Sequence, residues 1–258
     1  MSVFTEQDII NACSRFQFDE NYYSDTEYVS NSMLSRLKDS PKNLAHYLLH
    51  GAEITPAMTF GRAFHCWVLE PDVFWDNIAV FEGKARRGNA WNDFYKENEN
   101  KDIITTSEMG KLQDLGKALY DSKDAQGLLE GIKETPMVWV DEDTGIKCKG
   151  KADVFNKKAN TIIDIKTTTK ASLNEFRRHA YKYGYNRQAA FYMDGFGADR
   201  FMFIVIEKSA PFNFGIYECS QEFINSGREE YKELLVAYDE YFIEKTLDIN
   251  KYYYTGEL

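Results

Sequence analysis

The 258-residue sequence predicts an α/β protein, a single core of strands and helices preceded by a helical elaboration. Two observations predict it. Apolar residues in the first half recur at helical spacing, whereas the second half breaks into short strand-like runs separated by turn residues. Those strands follow helices, are interrupted by helices and then resume, which is the element order of one mixed layered core. We therefore read 1–258 as one domain: about 1–130 a mostly helical elaboration, about 131–245 the core, and 246–258 a C-terminal tail. No internal repeat and no low-complexity linker divides it.

The elements follow in chain order. Asn31 to His50 carries Leu34, Leu37, Leu44 and Leu48 at helical spacing, and Pro41 must start a helix there or kink one. Pro56 to Glu70 is a second helix, stopped by Pro71. Phe81 to Asn89 is a basic, glycine-punctuated loop, and Ser107 to about Tyr120 is helical again. Met137–Val140 is a strand, Glu142–Gly145 a turn, and Ile146–Phe155 and Thr161–Thr167 the next two strands of a meander. Ser172 and Glu175 have the spacing of a capping box opening a helix to about Tyr183, and Asn186 to about Phe196 is another helix. Phe201–Glu207 and Asn213–Glu218 form a hairpin, and Ser220 caps a long helix to about Lys245.

Composition narrows the function. A hydrophobic share of 43% and an aromatic share of 15% support a sizeable core. No apolar run reaches the ~18–20 residues that span a bilayer, so no membrane partner is expected. The first residues, Met1 to Asp8, lack the basic and apolar regions of a signal peptide, so a cytoplasmic location is expected. Cys13, Cys66, Cys148 and Cys219 are scattered with no C-x-x-C, which argues against a zinc ribbon or an iron–sulfur cluster and gives no support to a disulfide framework. The net charge of −10 excludes a globally basic nucleic-acid binder. A polyanionic substrate would need local basic patches, and bound cations would offset clustered acids. Charge alone favours a small-molecule enzyme.

One stretch carries more chemistry than the rest. Asp153 lies on one strand of the meander, and Asp164 and Lys166 on the next, the two acids eleven positions apart. On adjacent antiparallel strands the two acids can face one another. Side chains alternate across a strand, so Asp164 and Lys166 share a face with Cα atoms roughly 6.6 Å apart, while Ile163 and Ile165 point into a core. Two carboxylates and a lysine on one face suit a divalent ion and a phosphate: Mg²⁺ takes carboxylate and water oxygens, and an ammonium beside it can hold an attacking water or stabilise a crowded phosphate. The same residues also fit a surface Asp–Lys pair on a hairpin. Gln188 and Tyr192 stand at i, i+4 on the last internal helix and share a face, which an ordinary amphipathic helix would also give.

Other candidates are set around these. His65 lies in a small, apolar helical stretch, Gly61-Arg-Ala-Phe-His-Cys-Trp, where a satisfied core histidine is the simpler reading. His46, His50 and His179 have no such setting and read as surface residues. Basic and aromatic residues interleave from Phe176 to Arg187, so Arg177, Arg178, Lys182 and Arg187 could grip phosphates, with Tyr181, Tyr183 or Tyr185 against bases or sugars. Lys147, Lys149 and Lys151 alternate toward Asp153, with Gly150 a possible bulge. Arg86 and Arg87 in the glycine loop are a third basic candidate. Each patch alone also fits a solvated face.

Together these residues resemble the PD-(D/E)XK nuclease superfamily, and within it the exonuclease domain of the exonuclease VIII (RecE) type of phages and prophages. The ordered set that carries the resemblance is Gly61-x-Ala-x-His65 with its acidic-proline segment, Gly150-x-x-Asp153, Asp164-x-Lys166 and Gln188-x-x-x-Tyr192, and it covers about Asn31 to Tyr192. The proline of the superfamily's name is replaced by Ala152. The resemblance implies a restriction-endonuclease-like core, with a central mixed sheet flanked by helices. It implies Mg²⁺ or Mn²⁺ on Asp153 and Asp164, helped by His65 and the Ile165 carbonyl. Lys166 would orient the water, and Gln188 and Tyr192 would hold the scissile strand. It further implies digestion of linear double-stranded DNA from 5′ ends, leaving 3′ single strands for an annealing protein, and a ring-shaped homo-oligomer, with Tyr252–Tyr254 as a candidate interface. The competing expectations are an endonuclease of the same superfamily, a catalytically silent DNA-binding module, and a small-molecule metalloenzyme.

Overall fold

The computed structural model of the chain describes residues 6–17, 19–83 and 85–256. Most of the segment read for a leader, Met1 to Thr5, and Lys84 of the basic loop lie outside the described residues. The strands are β1 (Val29–Ser30), β2 (Ile78–Phe81), β3 (Asp102–Thr105), β4 (Ile132–Val140), β5 (Lys147–Asn156), β6 (Thr161–Thr168), β7 (Arg200–Glu207) and β8 (Phe214–Glu218). The helices are α1 (Glu6–Arg15), α2 (Asp19–Ser24), α3 (Asn31–Asp39), α4 (Pro41–His50), α5 (Pro56–Leu69), α6 (Phe74–Asn77), α7 (Asn89–Glu97), α8 (Thr106–Tyr120), α9 (Lys123–Leu128), α10 (Leu173–Lys182), α11 (Tyr185–Phe196) and α12 (Gln221–Tyr238). Pro41 starts a helix and does not kink one: it sits at the first turn of α4, where its missing N–H has no role, and Ser40 caps that turn through the Asn43 amide.

The central sheet is mixed. Its order is β1-β5-β6-β7-β8, with β4 paired to β5 as well. β4, β5 and β6 form the expected antiparallel meander, β6 and β7 are parallel and joined through α10 and α11, and β7 and β8 are an antiparallel hairpin. β5 pairs with β4 along almost its whole length, from Val140↔Lys147 to Ile132↔Phe155. Its other edge is shared. At one end it pairs with β6, from Asn156↔Thr161 only as far as Val154↔Ile163. At the other it meets β1, at Val29↔Cys148 and Ser30↔Lys149. Between these partners, Gly150 to Asp153 border a fork where β5 and β6 part.

Helices cover both faces, and strand alternation decides which side chains meet which layer. On β6, Ile163 and Ile165 are buried with α5 and α8, beside Val154, Ile204 and Ile206. Ile162 is buried on the opposite face with Phe155, Phe201 and Phe203 against α3, α11 and α12. Each such side chain contributes about 1.5–3 kcal/mol on full burial. Helices α11 and α12 approach closely: a Cβ on Gly227 would lie 2.0 Å from the Asn186 carbonyl oxygen.

Several local expectations are corrected. Gly150 is not a bulge, because the β4–β5 register is unbroken at Met137↔Gly150. Its missing Cβ makes room for the Tyr192 ring, whose Cε1 would otherwise be 2.9 Å away. The Ser172 side chain makes no cap hydrogen bond on α10, and Glu175 instead pairs with Arg178 one turn on. β4 begins five residues before the strand start read at Met137, running through Pro136. An edge strand tolerates this, since a missing N–H on its outer side removes no ladder bond. The last helix gives way after Tyr238 to a wider turn over Asp239–Ile243. The short parallel pair β2 and β3 and the helices α1 and α2 are additions to the sequence reading.

Candidate active site at the strand fork

The fork gathers residues from four elements. Where β5 and β6 part, the Asp153 carboxylate replaces the missing ladder bond: its Oδ2 accepts the Ile165 backbone N–H at 2.7 Å. The local geometry has a partner on β4. The rung opposite Asp153 falls to Glu134, which forms no regular pair and holds φ at +46°. That is left-handed backbone, uncommon for a residue with a side chain. From the other half of the chain, α5 presents His65. Its Nε2–H donates to the Ile165 carbonyl at 2.9 Å, and its Nδ1 lies 3.5 Å from Asp153 Oδ1. Ligand atoms of His65, Glu134 and Asp153 all lie within 4.8 Å of one another.

Asp164 and Lys166 share a face, as strand alternation requires. Lys166 Nζ is 2.6 Å from Asp164 Oδ1 and 4.8 Å from the centroid of the Tyr185 ring. The other oxygen of Asp164 accepts from the Gln188 amide at 2.8 Å. Gln188 therefore orients an acid of the site, and its amide is spent there. Tyr192, one turn along α11, is buried with its ring on Gly150, so it supports β5 from within the core.

The electrostatics are those of crowded acids. Burial and the neighbouring Asp153 push the Glu134 carboxyl up to about 8. Burial, with Asp153 again, raises Asp164 to about 6 against the pull of Lys166. Burial also favours protonation of Asp153, but His65 and Lys166 outweigh it and hold that carboxyl below its ordinary range. Burial opposes charge on the His65 imidazole, yet Asp153 and Glu134 raise it to about 9. Lys166 stays charged for the same reason, with Asp164 outweighing burial. An ionised Asp153 beside Glu134 and His65 is a donor set that a divalent cation satisfies, while Asp164 stands outside that cluster with its oxygens on Lys166 and Gln188. The residues fit such an ion in chemistry, and three of them already cluster their ligand atoms within 4.8 Å.

The basic candidates divide by burial. Lys149 is 2% exposed, and its ammonium binds the backbone carbonyls of Tyr22 and Asp25, the latter at 2.6 Å. Arg187 is 1% exposed and ties α11 to α3 through Asn31 at 2.9 Å and Ser35, and to α12 through Glu230. Both serve the fold and offer no phosphate contact here. Arg86 is half-buried, bonded to Glu108 and the Ile103 carbonyl. Lys151 lies 3.7 Å from Glu134, and Lys147 pairs with Glu27. Arg87, Arg177, Arg178 and Lys182 are exposed, Arg178 paired with Glu175. His179 is not a surface residue: it is half-buried, with Nδ1 3.4 Å from the Thr168 hydroxyl.

Glu134 is the residue that sequence reasoning missed. The signal was present. Continuing the hairpin register back from the Asp141–Gly145 turn past Pro136 sets Glu134 opposite Asp153.

A central mixed sheet with acids and a lysine at a fork between two strands, and helices on both faces, is the PD-(D/E)XK nuclease fold. The family model described as "PDDEXK-like domain of unknown function (DUF3799)" matches residues 30–245, and the chain belongs to that family. Among solved structures, a candidate exonuclease from Eubacterium rectale aligns with a TM-score of 0.64 at 14% identity, covering 90% of this chain and 88% of that one. This likeness is one of fold. A phage-related exonuclease from Haemophilus somnus 129PT aligns with a TM-score of 0.39 at 18% identity, over 84% of this chain and 96% of that one. No curated protein sequence matches. Among the described residues, no helix is long and apolar enough to cross a membrane.

Proposed function

We propose that the chain is a divalent-metal-dependent exodeoxyribonuclease acting on linear double-stranded DNA. The observation that carries this reading is the cluster of His65, Glu134 and Asp153 at the strand fork, with the Asp164–Lys166 pair next along β6 and Lys166 acting electrostatically on Asp153. Asp153, Asp164, His65, Glu134 and the Ile165 carbonyl would hold Mg²⁺ or Mn²⁺. Bound there, the ion supplies Lewis acidity toward phosphoryl oxygens. Lys166, held beside Asp164, orients the attacking water and faces the charge that builds on the phosphate. Gln188 fixes Asp164 for that role. In the hydrolysis one phosphodiester P–O bond breaks, the water's oxygen joins phosphorus, and a proton passes to the departing alkoxide.

The direction and setting of digestion are those implied by the motif resemblance to the exonuclease VIII type. We infer attack at 5′ ends, leaving 3′ single strands for an annealing protein. We also infer a homo-oligomeric ring whose basic residues need only line a channel, consistent with the net charge of −10. Tyr253 and Tyr254, both strongly exposed, are candidates for its subunit contact.

The test is digestion of a linear duplex labelled at the 5′ or the 3′ end, with Mg²⁺ and beside a closed circular control. Loss should start at 5′ labels and spare the circle. Lys166→Ala should fold and bind DNA but cleave at least about 10²-fold more slowly, the range for removing one preorganised electrostatic donor. An unchanged rate in Lys166→Ala would overturn the mechanism. A cut circle would indicate an endonuclease, and no cleavage with any divalent ion a binding module.

A further inference from the structure

Tyr185 opens α11, and the cleavage chemistry above gives it no task. It lies three residues before Gln188 and seven before Tyr192, so the three side chains share one face of the helix. The other two order the site from behind: Gln188 donates to Asp164 at 2.8 Å, and Tyr192 packs on Gly150. Tyr185 completes the row. Its ring centroid stands 4.8 Å from the Lys166 ammonium nitrogen, inside the ~6 Å over which a ring face attracts a cation.

Three features set this contact apart from chance proximity. The ring is fixed: the centroids of Phe176, Phe203 and Tyr183 lie 6.1, 5.9 and 6.0 Å from its own. Half-buried in that aromatic cluster, it gives Lys166 a face already in place. The Lys166 side chain is 19% exposed, and a cation–π contact strengthens as water is removed. Lysine also needs a second hold. Its stem is flexible and its ammonium is a point charge without a directional fork, and Asp164, at 2.6 Å, fixes it on one side only. Another carboxylate opposite would cancel charge that the reacting phosphate requires. A ring holds the ammonium and leaves its charge intact.

We propose that Tyr185 is a positioning residue for Lys166: the Asp164 carboxylate and the Tyr185 ring hold the ammonium between them, so that the ring supports turnover without touching substrate. The inference rests on the nuclease reading and deepens it. It departs from the sequence expectation, which set Tyr185 against bases or sugars.

The test is steady-state cleavage of the linear duplex by Tyr185→Leu and Tyr185→Phe, each alone and combined with Lys166→Ala. Tyr185→Leu should lower kcat roughly ten- to thirtyfold with KM little changed, the scale of one desolvated cation–π contact. Tyr185→Phe should keep most of the rate, because its ring offers the same face. In the Lys166→Ala background Tyr185→Leu should cost nothing more, since the group it positions is gone. A readout without turnover covers a variant that merely misfolds. In protein carrying carbon-13 at the lysine ε position, nuclear magnetic resonance should show the Lys166 ε protons shifted upfield by the ring. That shift should persist in Tyr185→Phe and vanish in Tyr185→Leu.

An ordinary lysine shift for Lys166 in the wild type, an unchanged kcat in Tyr185→Leu, or an equal further loss in the Lys166→Ala background would each overturn the proposal. So would a raised KM with kcat kept, which would assign Tyr185 to DNA contact instead. A wild type that cleaves no duplex while its Lys166 resonance is shifted would refute the nuclease reading, and the positioning role with it, while leaving the ring–ammonium contact established.

Discussion

Glu134 occupies left-handed backbone at φ +46°, and its carboxyl shares one small volume with Asp153 and His65. Non-glycine residues persist in such conformations only where surrounding structure holds them, at about 1–3 kcal/mol each. A role for this acid in ion binding gives that strain a purpose. Glu134→Gln keeps the size of the side chain and removes a negative donor. It should lower Mn²⁺ affinity by roughly tenfold, the scale at which supporting ligands act, with the melting temperature of the metal-free protein kept or raised. Titration of Mn²⁺ followed by electron paramagnetic resonance measures this, and an unchanged affinity would remove Glu134 from the site. Asp153, Asp164 and Lys166 were legible as single letters because a two-residue period on one strand and a meander partner were enough to bring them together. Glu134 was not, since Pro136 reads as a strand breaker until β4 is known to lie at the edge. Lys149 and Arg187 misled for the converse reason: a basic side chain carries no mark of whether its charge will meet solvent or a buried carbonyl.

The α11–α12 contact sets how α11 approaches the sheet, and α11 carries the amide that holds Asp164. Gly227 allows that approach, since any Cβ there would meet the Asn186 carbonyl at 2.0 Å. Backbone cannot yield as a flexible side chain can, so Gly227→Ala should destabilise the protein by about 1–3 kcal/mol or more, the range for overpacking. Urea denaturation measures the loss, and an unchanged midpoint would mean that the two helices slide apart freely. Elements with a long repeat were read close to their observed limits: α5, β6 and α11 each differ by a residue or so from expectation. The four-residue strands β2 and β3 were not, because so short an apolar run between helices has no period to detect. The predicted capping box on α10 failed because an exposed Ser–Glu spacing says nothing about whether Arg178 will claim the glutamate first.

Stability of the whole molecule should depend on pH through the site. Glu134, Asp164 and His65 are raised to about 8, 6 and 9 from ordinary values of 4.5, 3.8 and 6.5. In each case the folded protein binds the proton more tightly than the unfolded chain, so the contribution is full below the ordinary value and is lost as pH rises through the raised one. Asp153 has the opposite sign, its contribution being lost toward acid. The metal-free protein should therefore melt at lower temperature as pH climbs from about 5 to 9. Saturating Mg²⁺, which binds the deprotonated folded site, should flatten that decline. Thermal melts across this range in chelator and in Mg²⁺ measure both, and a flat profile in chelator would contradict the protonation states described. The mixed architecture was legible from element order, but the placement of β1 was not, since two residues carry no pattern. That placement has a practical consequence. With β1 filling an edge of the central sheet and His65 arriving from the same half of the chain, no minimal fragment beginning near residue 131 can be excised intact: trimming the leading half would strip the fork of its wall and leave β5 a raw, self-associating edge.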